Sequence, residues 1–293
     1  MELTLIKPSV EIWNQNDDMI AHVARCARVC YASDKGKDRT LVEHLMVNKH
    51  LSMFRHYTKY YIIPLEDIND NLKEIFKIFT NSPYCEIDND GNSIFVVTNY
   101  QFYIENKNTF DEIAEYEVTE LEFCSYSTGK EMRRITIKCV TQISTSRELN
   151  RVSPNNIAEQ STRYVNFNKK GGSICCPHWL IDEMDNDSMN FTEQDLQQVE
   201  QFANECRRDY LLHCYKSFEL YNSIVDNLIL TPQDARGVLP LDTSTICIYT
   251  YSIREWKHIM DLRYYGATGK PHPNAKLIAG MIKDEINNLG YNL

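Results

Sequence analysis

Apolar residues recur at helical spacing in several separate stretches of the chain. From Asp17 to Cys30, Ile20, Val23, Ala24 and Ala27 share one face, and Leu41, Val42, Leu45 and Met46 repeat the pattern before His50. The spacing predicts two early helices. A third, amphipathic helix is expected over Asp67–Phe79, with a turn at Asp88-Asn89-Asp90-Gly91 beyond it. Lys59–Pro64 and Thr243–Tyr251 read as strands, as does the alternating stretch Arg134–Ile143, which puts Ile135, Ile137 and Cys139 on one side.

The longest helix is expected to start near Thr192, where Thr-x-x-Asp is a capping pattern. Leu196, Val199, Phe202, Ala203, Cys206, Tyr210, Leu211, Cys214, Phe218 and Tyr221 then hold helical phase for about seven turns. A stripe of that length packs in a core or a subunit interface. Shorter helices are predicted after Thr231-Pro232, over Ile253–Leu262 and over Asn274–Asn287. Helices and strands without regular β-α alternation predict an α+β fold, a mixed or antiparallel sheet with flanking helices and a long central helix. No repeat or linker divides the chain, so residues 1–293 read as a single domain.

The formal net charge of −10 argues against an extended nucleic-acid groove, because an acidic surface repels a phosphate polymer. A single nucleotide is a different case, since a few well-placed arginines hold one phosphate whatever the global sign. The ten cysteines are scattered, and Cys175–Cys176, the close pair, is not a zinc site alone. With no apolar leader in MELTLIKPSVEIWNQ, reduced thiols in a cytoplasmic protein without a membrane segment are expected, and no metal.

The segment Ser144–Phe167, STSRELNRVSPNNIAEQSTRYVNF, carries the chemistry. Thr145-Ser146-Arg147-Glu148 fits a capping box and predicts a short helix directly after a strand. Pro154 should stop it at about Arg151 or Val152. Asn155, Asn156, Glu159, Gln160, Ser161, Thr162 and Arg163 follow, a loop dense in hydrogen-bonding groups. Two arginines and a hydroxyl are suitable donors for a phosphate. A solvated surface loop with local ion pairs is the plainer alternative.

AEQSTRY, preceded by Arg151 in a REL-x-R context, resembles the signature of flavin-dependent thymidylate synthases, Arg-His-Arg, seven further residues and Ser, ending Ser-x-Arg-Tyr. Lys49-His50-Leu51-Ser52-Met53-Phe54-Arg55-His56 resembles that family's Gly-His-x-Ser/Thr-Pro-Phe-Glu-His. Ala27-Arg28-Val29-Cys30-Tyr31, Ala235-Arg236-Gly237-Val238-Leu239-Pro240-Leu241, Ile253-Arg254-Glu255-Trp256-Lys257-His258 and Asp261-Leu262-Arg263 resemble further family segments, all in the family's order. Three departures stand out. Arg-His-Arg appears as Arg151-Val152-Ser153, the Pro-Phe-Glu-His glutamate is Arg55, and Ala267–Asn274 replaces an Ala-Gln-x-Glu segment.

The resemblance implies a homotetramer that binds FAD at subunit contacts, with an insertion at about 66–130 in this chain. It implies transfer of a one-carbon unit from methylene-tetrahydrofolate to C5 of dUMP, reduced by the flavin and reloaded by NADPH. On matching positions, Glu148, Arg151, Glu159, Ser161, Arg163 and Arg236 would hold the dUMP phosphate and sugar. Arg263 would face the uracil and stabilise negative charge at its N3–C4 edge. Arg263 and Ser161 are therefore the catalytic candidates; Ser161, with no general base in its sequence context, reads as a hydrogen bonder rather than a nucleophile.

His50, Ser52, Ser252, Arg254 and His258 fall on the family's FAD-contacting positions, and Arg151 and Glu159 serve both ligands. For His258, packing on Trp256 or Arg254 is the alternative, and for His50 a role in the fold. Arg28 reads as structural, and His22, His213 and His272 match nothing. Two other functions stay open: C5 modification of another pyrimidine nucleotide, or a non-catalytic nucleotide-binding relative. The nucleotide side keeps almost all its positions, so nucleotide binding is expected to be more secure than turnover.

Overall fold

A computed structural model describes residues 1–15, 18–32, 36–153, 156–198, 205–227 and 229–293, with no side-chain description for residue 31. Its strands are β1 (Leu3–Ile6), β2 (Ser9–Trp13), β3 (Thr58–Pro64), β4 (Cys85–Asn89), β5 (Ser93–Asn99), β6 (Glu117–Val118), β7 (Arg134–Gln142), β8 (Ile157–Glu159), β9 (Gly172–Cys175), β10 (Ser188–Phe191) and β11 (Ser244–Ser252). The helices that position the site are α1 (Met19–Tyr31), α2 (Asp38–Val47), α3 (Asp70–Thr80), α4 (Ile143–Asn150), α5 (Glu205–Asn227), α6 (Pro232–Ala235), α7 (Ile253–Met260) and α8 (Pro273–Asn288). The architecture is α+β, as the pattern predicts, although the strands form three sheets among the described residues rather than one.

The largest framework is the antiparallel sheet β2-β7-β11-β8. Alternation along β7 sends Ile135, Ile137 and Cys139 to one face, where they meet Cys247, Tyr249 and Tyr251 of β11 and the apolar sides of α7 and α8. A second antiparallel sheet, β4-β5-β3-β6, packs its buried face on α3 through Tyr61, Ile63, Leu72, Ile75, Phe79 and Val96. It draws on both the 66–130 segment and β3 outside it. The small sheet β10-β1-β9, with β1 and β9 parallel, covers α5.

The long stripe is buried inside the chain itself. Leu211, Cys214, Phe218 and Tyr221 of α5 join Leu3, Leu5 and Ile174 in one core. Burying one such aromatic contributes about 2–3 kcal/mol. Thr192 and Asp195 cap each other at the start of the helix Glu193–Gln198, and α5 is described from Glu205 onward. Val199, Phe202 and Ala203 lie outside the described residues, as do Asp17, Pro154 and Asn155. Leu196 is buried in the same core, whereas Cys206 is exposed and the buried phase within α5 begins with the half-buried Tyr210.

One local expectation is corrected. No capping box forms at Thr145–Glu148, because α4 begins two residues earlier, at Ile143, with Gln142 in the cap position. The amides of Ile143 and Ser144 bond the carbonyls of Thr243 and Leu241, so the helix start is satisfied by the chain leading into β11. Thr145 Oγ1 instead donates to Gln142 Oε1 at 2.7 Å. After α7 the chain makes a π-helical turn over Asp261–Tyr265, a rare geometry that is common at functional sites, and Arg263 projects from it.

Candidate functional site

The end of β8 brings Glu159 opposite Cys247 of β11, with α4 alongside. Its carboxylate accepts from Ser146 Oγ at 2.7 Å, Asn150 Nδ2 at 3.2 Å and Thr245 Oγ1 at 3.4 Å. Asn150 is itself oriented by Tyr249, whose hydroxyl donates to its Oδ1 at 2.8 Å. The carboxylate is thus held by neutral donors, with no cation paired to it among the described residues. Next to it, the Cys30 thiol is pushed up by burial, with the Glu159 carboxylate adding to the shift.

Two residues before Asn150, the backbone carbonyl of Glu148 accepts from Arg263 Nε at 2.7 Å. The Glu148 carboxylate is 3.9 Å from Arg263 Nη2, at the limit of an ion pair. Arg263 is therefore anchored mainly through a neutral acceptor. Its side chain is 17% exposed, which leaves it reachable yet poorly screened.

Beyond Glu159 the chain is pinned by backbone bonds from Gln160 to Ile246 and from Ser161 to Cys30. Ser161 Oγ then accepts from the Arg163 amide at 3.2 Å, a tight local turn. Arg163 Nη2 reaches Gln233 Oε1 at 3.5 Å, and Arg236 Nη1 reaches Thr162 Oγ1 at 3.3 Å. These two contacts clip the Ser161–Arg163 turn against α6. Both guanidiniums are exposed, and neither pairs with a carboxylate among the described residues. Arg151, at the end of α4, is exposed as well.

The positions assigned to the cofactor either make contacts within the chain or lie exposed. Ser252 caps α7: its hydroxyl accepts from the Glu255 amide at 3.2 Å, and its own amide donates to Glu255 Oε2 at 2.9 Å. Arg254 donates to Glu86 Oε1 at 2.9 Å and to Asp88 Oδ2, both on β4. His258 is exposed rather than packed. His50 and Ser52 are also exposed, on a shallow cavity of about 490 Å³ shared with Lys49, Arg55, Gln101 and Glu105. Arg28, expected to be structural, ties α1 to α2 through Asp38.

A pyrophosphate such as that of FAD needs uncompensated cations and free donors. Arg254 is already matched by two carboxylates, and the polar groups of Ser252 are taken by the helix cap. Arg254 and Ser252 as they stand offer the phosphates of FAD no uncompensated charge, whereas Arg151, His50, Ser52 and His258 are exposed. The nucleotide side fits a phosphate better, since Arg163 and Arg236 are oriented by neutral groups alone.

Behind the site lies a buried polar layer that the sequence reading passed over. His22 Nε2 contacts Thr136 Oγ1 at 3.4 Å, Thr136 meets Thr250 at 2.9 Å, and Thr250 meets His56 Nδ1 at 2.9 Å. Arg134, also buried, donates to Thr58 Oγ1 and to the carbonyls of Arg55 and Thr250. Burial first, and nearby arginines second, depress His22 to about 4. Burial, then His22 and Arg134, depress His56 to about 3. Both rings are neutral at pH 7. Ser146, Asn150 and Thr245 were missed too, because only the β8–β11 register shows that they converge on Glu159.

Residues 97–288 match the family model for thymidylate synthase complementing protein, and the chain belongs to that family. No curated protein matches it in sequence. Among solved structures, it is similar to a UMP/dUMP methylase PolB from Streptomyces cacaoi bound with 5-Br dUMP, at 18% identity and a TM-score of 0.42. That match covers 97% of this chain and 92% of the other. The PolB structure bound with 5-Br UMP gives 17% and 0.44 over the same shares, 97% and 92%. Thymidylate Synthase X (ThyX) from Helicobacter pylori with FAD and dUMP gives 16% identity and a TM-score of 0.38, over 55% of this chain and 71% of that one. Among the described residues, no helix is long and apolar enough to cross a membrane.

Proposed function

We propose that the chain binds dUMP and methylates its uracil at C5, with methylene-tetrahydrofolate as carbon donor and FAD and NADPH supplying the reducing equivalents. Family membership supports the reaction class. The observation that carries nucleotide binding is the pair Arg163 and Arg236, apposed across the Ser161–Arg163 turn with neutral partners only. In a chain of net charge −10, two guanidiniums that meet the same turn and pair with no carboxylate among the described residues suit a phosphate. Arg263, held by the Glu148 carbonyl, is the cation available to the uracil edge. Glu148, Arg151, Glu159 and Ser161 complete the proposed nucleotide set, and a homotetramer remains the assembly that the resemblance proposes.

The pairing of Arg254 with Glu86 and Asp88 favours a second reading, in which the nucleotide site persists and the cofactor chemistry is changed or lost. Calorimetry with dUMP and deoxyuridine tests the first half: dUMP should bind at least about tenfold more tightly, the contribution of a held phosphate. No dUMP binding at millimolar concentration would sink both readings. Tritium release from [5-³H]dUMP in the presence of FAD, NADPH and methylene-tetrahydrofolate separates them, because only the methylating enzyme displaces the C5 hydrogen.

A further inference from the structure

Arg254 lies in the first turn of α7 and faces β4. Glu86 and Asp88 are alternate residues of that strand, so their side chains leave it on the same face, and both grip the guanidinium. The three side chains are 39%, 32% and 35% exposed, so the cluster lies at the rim of the protein rather than in its core. A guanidinium offers two N–H edges matched to two oxygens of one phosphate. Here each of two carboxylates takes one terminal nitrogen, Glu86 on Nη1 and Asp88 on Nη2. Arg254 donation holds Asp88 below the usual carboxylate range, while burial pushes Glu86 up.

Adjoining this cluster is a cavity of about 190 Å³ lined by Tyr84, Glu86, Asn99, Arg134, Asn156 and Glu255, among others. Asn99 Nδ2 and Asn156 Oδ1 are buried there without a hydrogen-bond partner among the described residues, one donor and one acceptor, both uncharged. Arg134 spends its terminal nitrogens on neutral groups of the protein. Among the residues lining this cavity Glu86 and Glu255 outnumber Arg134, and Arg55, stacked on the Tyr84 ring at 4.7 Å, is the further cation at its edge. A phosphate approaching Arg254 would meet the Glu86 and Asp88 carboxylates already on it.

We propose that Glu86 and Asp88 act as internal counter-anions at Arg254, so that this corner discriminates against phosphate-bearing ligands while the adjoining cavity admits an uncharged hydrogen-bonding group. The inference rests on the flavin reading above only for the identity of the ligand. Its physical content is that Arg254 is an anion site occupied by the chain itself.

The test titrates FAD, riboflavin and inorganic pyrophosphate against the wild-type chain and Glu86→Gln/Asp88→Asn, all with saturating dUMP to block the nucleotide site. Flavins are followed by fluorescence and pyrophosphate by calorimetry. The double substitution should tighten FAD and pyrophosphate about tenfold and leave riboflavin within about twofold. Adding Arg254→Ala should remove the gain. Asp88→Asn alone, at a half-buried strand end, should give about threefold and serves if the double variant does not fold. Unchanged anion affinity, or an equal gain for riboflavin, overturns the proposal. If no flavin binds any form while the Arg254-dependent gain for pyrophosphate appears, the flavin reading fails and the counter-anion role stands.

Discussion

The hydroxyl of Ser146 donates to Glu159 Oε1 over 2.7 Å, and this bond joins α4 to the end of β8 where the Ser161–Arg163 turn leaves the sheet. Asn150 and Thr245 donate to the same carboxylate. Glu159→Ala leaves Asn150 and Thr245 without this acceptor, while Ser146 can turn to the Ile143 carbonyl at 3.0 Å, at an expected cost of about 2–3 kcal/mol. Glu159→Gln keeps one acceptor oxygen and should lose about half as much. The midpoint of urea unfolding measures both. A Glu159→Ala variant as stable as the parent would mean that the carboxylate organises nothing.

Gly172 opens β9 directly under the ring of Phe218 on α5. A Cβ at 172 would lie 2.6 Å from Phe218 Cγ, and the fully buried ring has no room to retreat. Gly172→Ala should therefore destabilise the chain by about 1–3 kcal/mol through overpacking. Combining it with Phe218→Leu should recover part of that loss, whereas independent sites would simply add their costs. A double-mutant cycle in urea distinguishes the two outcomes.

The early helices, the strands at 59–64 and 134–142 and the helix stripe on α5 were legible because each is a periodic signal within one segment. The partners of the site residues were not. Glu86 and Asp88 stand 168 and 166 residues from Arg254, in a segment with no counterpart among the quoted motifs. Reading Arg254 from its motif alone therefore put it with the cofactor and missed the carboxylates that hold it. The capping box at Thr145–Glu148 misled for a related reason: the chain leading into β11, about 100 residues away, already satisfies the helix start. Arg163 and Arg236 could be named from sequence, yet their common contact across Thr162 and Gln233 is tertiary.

The buried histidines make stability depend on pH. His22 and His56 are held near 4 and 3, well below the ordinary histidine value of 6.5, by burial and by Arg25 and Arg134. Below about pH 6.5 the unfolded chain takes up these protons and the folded chain does not, so stability falls as pH falls through that window. The loss continues until the folded-state values are reached, near 4 and 3. Between pH 7.5 and pH 5 each histidine should cost about 2 kcal/mol. Urea midpoints across this range should drop in the parent and drop less in His56→Gln. A flat profile from pH 7.5 to pH 5 would show that the rings are not buried neutral.

Arg163 and Arg236 separate phosphate recognition from stability. Each is exposed and hydrogen-bonded only to a neutral side chain, so truncation should change stability by no more than about 0.5 kcal/mol. A charge-assisted bond to a phosphate contributes about 1.5–3 kcal/mol, so Arg163→Ala and Arg236→Ala should each weaken dUMP binding about 10- to 100-fold. Deoxyuridine, which has no phosphate, should bind all forms alike. The double variant should lose less than the sum, because both guanidiniums would serve one phosphate and the turn they clip. If dUMP and deoxyuridine weakened together, the arginines would be shaping the turn rather than contacting the phosphate. If neither ligand changed, the phosphate would lie elsewhere, and Arg151 would be the next guanidinium to substitute.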